Sequence, residues 1–112
     1  MRTPLKTLVH IGLSYNLIKD SNLTQITRNF PQLFCLDLQF NQLCDLSLTV
    51  AQISKLSDIK VLYLAGNPLA LTFRYRDIIK QNFIDLRYFD GTAAFTEAEE
   101  HLKKKMRKKF TK

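Results

Sequence analysis

The sequence predicts an α/β solenoid in which short parallel strands alternate with helices or turns and a helical cap closes one end. Three observations carry that expectation. Residues 32–43, QLFCLDLQFNQL, place apolar residues at Leu33, Leu36, Leu38 and Leu43 and a lone amide at Asn41, the spacing L-x-x-L-x-L-x-x-N-x-L. The same spacing recurs at Leu8, Ile11, Leu13, Asn16 and Ile18, and again at Ile59, Leu62, Leu64, Asn67 and Leu69. Steps of 25 and 26 residues separate the amides, a steady period that signals stacked repeats. Beyond the third amide the pattern gives way to a helix and half a copy, which suits the apolar end of a stack.

Each copy can be justified from its residues. Alternate apolar positions put two side chains on one face of a short strand, and the chain must then turn to bring the next apolar residue beneath it. At that turn backbone N–H and C=O groups leave the ladder and point inward. A side chain with both a donor and an acceptor is wanted there, and Asn supplies both. Asn16, Asn41 and Asn67 are therefore expected to form an internal ladder. Leaving such groups unpaired would cost about 1–3 kcal/mol each.

Taken in order, the chain enters the first strand almost at once. No polar capping element precedes Leu8, so either the chain is a fragment of a longer protein or another chain covers the Leu8–Leu13 edge. Residues 19–32 return to the next strand, and Leu23, Ile26 and Phe30 predict a turn or two of helix that Pro31 ends. In residues 44–58 the middle, Leu48–Leu56, reads as a short helix. Residues 66–92 set Pro68 beside the third amide, then predict a helix over Thr72–Asn82 and a strand from Leu86 to Phe89 that Asp90-Gly91 cuts short. Thr96 and Glu99 form a T-x-x-E capping box for a last helix. Its acidic start at Glu97, Glu99 and Glu100 and basic end from Lys103 both suit the helix dipole. The domain expectation is repeats plus cap over 1–95, with the cap at 66–95, and a basic amphipathic helix over 96–112.

The repeated spacing resembles the leucine-rich repeat family. Asn67-Pro68-Leu69, Tyr75-Arg76 and the run Leu86 to Gly91 look like the C-terminal cap of its SDS22-like class, with Phe89 in place of the second Leu of L-x-x-L-D-G. Within the family the three copies are similar to those of a ciliary type. The resemblance implies a right-handed solenoid with strands on the concave face and helices or turns on the convex face. It also implies a non-catalytic scaffold that grips another protein on the concave face. Members include phosphatase regulators, an axonemal dynein light chain, other ciliary proteins and a spliceosomal subunit.

Composition narrows the classes. A chain of 112 residues is one domain on size. Cys35 and Cys44 lie in neither a C-x-x-C pair nor a His cluster, and read as reduced thiols. No apolar run is long enough to span a membrane, and the first residues lack the apolar core of a signal peptide. His10 and His101 stand far apart, and with 3 Gly in the chain a phosphate-cradling loop is disfavoured. No catalytic residue, metal, cofactor or small-molecule substrate is expected. The net charge of +7 is concentrated at one end, since residues 1–102 hold ten basic and ten acidic side chains while the last ten, KKKMRKKFTK, hold seven Lys or Arg.

Two surfaces follow as candidates for binding. Applying the repeat phase gives four outward rows: His10, Cys35, Val61 and Tyr88; Gly12, Asp37, Tyr63 and Asp90; Ser14, Gln39 and Ala65; Tyr15, Phe40 and Gly66. Of these His10, Tyr15, Asp37, Gln39, Phe40, Tyr63 and Tyr88 are the expected partner contacts, because aromatic residues dominate interface hot spots. The alternative is that several aromatics fold over the core at the strand margins. The second surface is the basic tail, Lys103, Lys104, Lys105, Arg107, Lys108 and Lys109. Three readings stand there: Leu102, Met106 and Phe110 pack on the cap; the basic face meets an acidic protein or RNA; or the helix lies on a membrane surface. The expected setting is a structural subunit of a large hetero-assembly such as the ciliary axoneme, in the cytoplasm or cytoskeleton, with axonemal proteins or tubulin as partners. The alternative is a nuclear ribonucleoprotein subunit similar to the spliceosomal A-prime protein, its body bound to an RNA-recognition protein and its tail touching RNA.

Overall fold

The computed structural model describes residues 9–110, with side chains described through Arg107. Leu8 of the first copy lies outside the described residues, as do the side chains of Lys108, Lys109 and Phe110.

Four short strands, β1 (His10–Gly12), β2 (Cys35–Asp37), β3 (Val61–Tyr63) and β4 (Tyr88–Phe89), pair in parallel in sequence order. Parallel neighbours need a crossover, and the intervening segments supply it. They carry α1 (Leu23–Asn29) and α2 (Leu46–Ile53), with a 3₁₀ turn, Asp20–Asn22, ahead of α1. This is the solenoid that the repeat period predicts.

The core is the repeat pattern made solid. Leu33, Leu36, Leu38 and Leu43 of the second copy and Leu62, Leu64 and Leu69 of the third are each 0% exposed. Their counterparts Ile11, Leu13 and Ile18 in the first copy are only partly buried, because each layer is sealed by the layer before it. From the other side, Leu23 and Ile26 of α1 and Leu46, Val50 and Ile53 of α2 close the core.

The cap departs from expectation in two places. Pro68–Leu71 forms a 3₁₀ turn, and the helix α3 runs over Tyr75–Asn82, starting three residues later than Thr72. Arg74 is the cause, since its φ of 60 is left-handed and interrupts a helix at that point. The second departure is a hairpin. Asp90 and Gly91 are both left-handed, φ 51 and 87. Two consecutive positive-φ residues make the turn that matches strand twist, so β5 (Thr92–Ala93) folds back antiparallel on β4. The expected stop is thus a reversal.

Asp90 ends the stack. Its Oδ1 accepts from Leu64 N at 2.7 Å and Ala65 N at 3.0 Å, and its Oδ2 accepts from the Tyr75 hydroxyl at 2.7 Å. Burial first, then the Asp90 hydrogen bond, pushes the Tyr75 phenol well above its ordinary range. Arg76 donates to Phe89 O, Thr92 Oγ1 and Ala93 O, which ties α3 to the hairpin.

The last helix, α4 (Glu97–Phe110), starts at a formed capping box: Glu99 N donates to Thr96 Oγ1 at 3.1 Å and Thr96 N to Glu99 Oε1 at 2.8 Å. No helix among the described residues is long and apolar enough to cross a membrane.

Candidate protein-binding face

The register of the sheet assembles the outward rows. His10, Cys35, Val61 and Tyr88 are aligned across β1 to β4, and Gly12, Asp37 and Tyr63 across β1 to β3. The ladder continues past the strands. Leu13 N donates to Asp37 O, Tyr15 N to Gln39 O, Leu38 N to Tyr63 O and Phe40 N to Ala65 O, at 2.8–3.0 Å. Ser14, Gln39 and Ala65, and then Tyr15, Phe40 and Gly66, therefore stand side by side as well.

These residues are not equally available. His10 is exposed, Tyr88 is 52% exposed and Phe40 45%, while Tyr63 is half-buried. Gly12 leaves open space where a Cβ would project, so the face has a gap between His10 and Ser14. Asp37 is half-buried, and its Oδ1 accepts from Gln39 N at 3.0 Å and Gln39 Nε2 at 3.2 Å. That carboxylate is held ready at the middle of the face. Asp90 is not available in the same way, because both its oxygens close the stack.

The row of Tyr15, Phe40 and Gly66 has left-handed backbone throughout, with φ of 60, 56 and 78. Position by position the chain must reverse there to aim the next residue, the amide, inward. Glycine suits such a φ, and the two aromatics hold it at a cost of about 1–2 kcal/mol each. Their rings stack at 4.6 Å between centroids.

Behind the row lies the amide ladder. Asn41 Oδ1 accepts from Asn16 N and Ile18 N, both at 3.1 Å, and its Nδ2 donates to Leu13 O and Leu38 O. Asn67 Oδ1 accepts from Leu43 N at 3.0 Å, and its Nδ2 donates to Leu38 O and Leu64 O at 2.8 Å. Each amide thus ties its own turn to the turn before. Asn16 is exposed and donates to Leu13 O and Ser14 O; among the described residues no earlier turn reaches it.

Burial, and then the Asp37 carboxylate, push the Cys35 thiol above its ordinary value, the reverse of what a nucleophilic cysteine needs. Among the described residues no group of three or more His, Cys, Asp or Glu could hold a metal ion.

The basic tail divides. Lys103 turns inward: its ammonium lies 3.7 Å from the Phe95 ring centroid and donates to Ile84 O at 2.6 Å. Arg107 pairs with Asp85. Lys104 and Lys105 are exposed. The side chains of Lys108 and Lys109 lie outside those described.

Two features escape sequence reasoning. The ladder extends the rows one position toward the strand starts, through Val9, Phe34, Lys60 and Arg87, so Lys60 and Arg87 are aligned one position before the first outward row. Carrying the repeat phase back one residue would have found them. Asp20 accepts from Cys44 N and Asp45 N of the next copy, at 3.2 and 3.1 Å, and so braces the start of α2. No local signal marks that bond.

No protein-family model matches the chain. Leucine-rich repeat-containing protein 43 of Homo sapiens is 36% identical over 101 residues, 88% of this chain. The chain spans 15% of that protein's length and 11% of its Mus musculus counterpart's. Among solved structures, the Chaetomium Mex67:Mtr2 subunits align with a TM-score of 0.69 at 27% identity, covering 88% of this chain and 63% of that one. The Drosophila melanogaster SNF/U2A′ complex aligns with a TM-score of 0.72 over 94% of this chain and 59% of that one, and at 19% identity shows the fold alone.

Proposed function

We infer that this chain, a leucine-rich-repeat module for protein–protein interaction related to the leucine-rich repeat-containing protein 43 type, holds one protein partner on its concave face as a fixed subunit of a ribonucleoprotein assembly. The observation that carries the reading is the aligned outer face. Tyr63 stands beside Asp37 in one row, His10 and Tyr88 lie at the two ends of the neighbouring row, and Phe40 and Tyr15 form one margin. Aromatic anchors around a carboxylate already oriented by Gln39 suit a basic or amphipathic protein surface, and the rows give it a rigid support.

Two solved folds that this chain resembles, Mex67 with Mtr2 and SNF with U2A′, belong to hetero-complexes. The likeness to Mex67, at 27% identity, supports the ribonucleoprotein reading, and with it the nucleus, over the axoneme. The axonemal reading draws on the basic tail meeting acidic tubulin, and the engagement of Lys103 and Arg107 by the cap removes part of that argument.

The test is site-specific cross-linking in cells from a photoreactive residue at position 63, with position 52 on the convex side as the comparison. The expected product is one RNA-recognition protein captured from position 63 and not from 52. Tubulin or an axonemal protein captured from 63 would move the assembly to the cytoskeleton. Equal capture from both positions would remove the concave face as the binding surface.

A further inference from the structure

The terminal helix meets the rest of the protein with its charged side. Glu99, Lys103 and Arg107, four residues apart, share one line along α4. Glu99 bonds Lys80 at 2.7 Å, Lys103 covers Phe95, and Arg107 pairs with Asp85. The Lys103 side chain is 19% exposed. One step round the helix, about 100° away, Ala98, Leu102 and Met106 form the apolar line. All three are exposed, Leu102 at 58% and Met106 at 53%. The expected packing of Leu102 and Met106 on the cap is therefore reversed: the bonds through residues 99, 103 and 107 fix the helix's rotation and hold the stripe out in water.

We propose that the stripe Ala98–Leu102–Met106 is a docking surface for an acidic amphipathic helix of a partner protein. The stripe covers about two turns, roughly 12 Å, a length that one face of a short helix matches. Its charges select the occupant. Lys105, exposed, flanks the stripe on the side away from the body, whereas Lys104, two positions from both Leu102 and Met106, stands on the far side of the helix. An incoming helix with Leu or Met at every fourth position and Glu or Asp beside them answers both features together. RNA phosphate would pair with the lysines and leave Leu102 and Met106 wet. A bilayer would gain one Leu and one Met beside the acidic first turn of α4, which it would repel. A second copy laid parallel would set Lys105 against Lys105, and one laid antiparallel would show as concentration-dependent Leu102 and Met106 methyl shifts in the free chain, which would overturn the proposal.

The probe is a synthetic helical peptide with Leu at every fourth position and Glu on both flanks, titrated into the full chain with labelled Leu and Met methyls. Shifts centred on Leu102 and Met106 are expected. The Leu102→Ser, Met106→Ser double variant is expected to weaken binding by about tenfold or more, and Lys105→Glu to weaken it severalfold, while Lys104→Glu, on the far side of the helix, leaves it unchanged. These side chains stand in water, so an unchanged urea midpoint will show that the fold is intact. No methyl shift, or binding indifferent to the serine variant, overturns the proposal. So does tighter binding to phosphatidylserine vesicles or single-stranded RNA that the serine variant abolishes. The concave residues take no part in this readout, so the outcome is independent of the face at Tyr63.

Discussion

The rings of Tyr15 and Phe40 lie 12° from parallel, and the Phe40 ring continues over Gly66, where a Cβ would come 2.4 Å from its Cδ1. The three residues occupy one phase of the repeat, so the third copy carries a glycine because the second carries a phenylalanine. Gly66→Ala adds a methyl into the ring and strains a φ of 78. The expected cost is about 1–3 kcal/mol, read as a fall in the urea midpoint with unchanged slope. Phe40→Gly should be nearly neutral, because loss of a stack worth about 0.5–1.5 kcal/mol is offset by release of about 1–2 kcal/mol of left-handed strain. A cost of several kcal/mol for Phe40→Gly would show that the ring is a core element and not a surface one.

The amide ladder predicts a graded series. Asn67 is 3% exposed and Asn41 7%, whereas Asn16 is exposed. Asn67→Ala strands Leu43 N and Leu64 O without water to replace the amide and leaves Leu38 O to Asn41 Nδ2 alone, at about 1–3 kcal/mol for each unmet group. Asn16→Ala should cost less than about 1 kcal/mol, since its two bonds are made in solvent. Equal losses at positions 16 and 67 in denaturant unfolding would remove the ladder as a source of stability.

Much of the fold was legible because its signals are local and repeated. The alternation of Leu36 and Leu38 fixes which residues face out, and three copies at one phase fix which of them are neighbours, so the row His10, Cys35, Val61 and Tyr88 needed no coordinates. The left-handed backbone at Tyr15 and Phe40 was harder to see, because aromatic residues disfavour it; only Gly66 at the same phase hinted at it. Nothing local could give the rotation of α4. It depends on bonds spanning 19 residues, Lys80 to Glu99 and Ile84 to Lys103, and 22 residues, Asp85 to Arg107. A lysine reads as solvated until an aromatic ring and a carbonyl are placed beneath it.

The cap gives a prediction at alkaline pH. Tyr75→Phe removes the hydroxyl that Asp90 Oδ2 accepts from, at an expected cost of about 1.5–3 kcal/mol. The Tyr75 phenol has its value raised in the folded state, so its contribution is present in full below the unfolded value of 10.0 and declines as the pH rises past it. The stability gap between wild type and Tyr75→Phe should therefore be flat around neutrality and narrow above about pH 10. A gap that widens there would mean that Asp90 does not hold the phenol in its protonated form.

The join between α4 and the cap should fail in acid. Glu99 is lowered from 4.5 to about 2, first by its hydrogen bond to Lys80, then by Thr96 N. A carboxylate depressed in the folded state contributes above its unfolded value and loses that contribution as the pH falls through the folded one. The contribution to stability should therefore decline from about pH 4.5 downward, while in the folded protein the Lys80–Glu99 bond and the Thr96 capping box open together only near pH 2. The amide shifts of Thr96 and Glu99 read this directly, because each amide donates to the other residue's side chain. In Lys80→Ala the first cause is gone, and the midpoint should rise toward the ordinary carboxylate range. In Glu99→Gln the acid transition should vanish while the neutral amide still accepts from Thr96 N. A midpoint that does not move in Lys80→Ala would show that the capping box alone holds Glu99 ionised and that Lys80 adds little to the docking of α4.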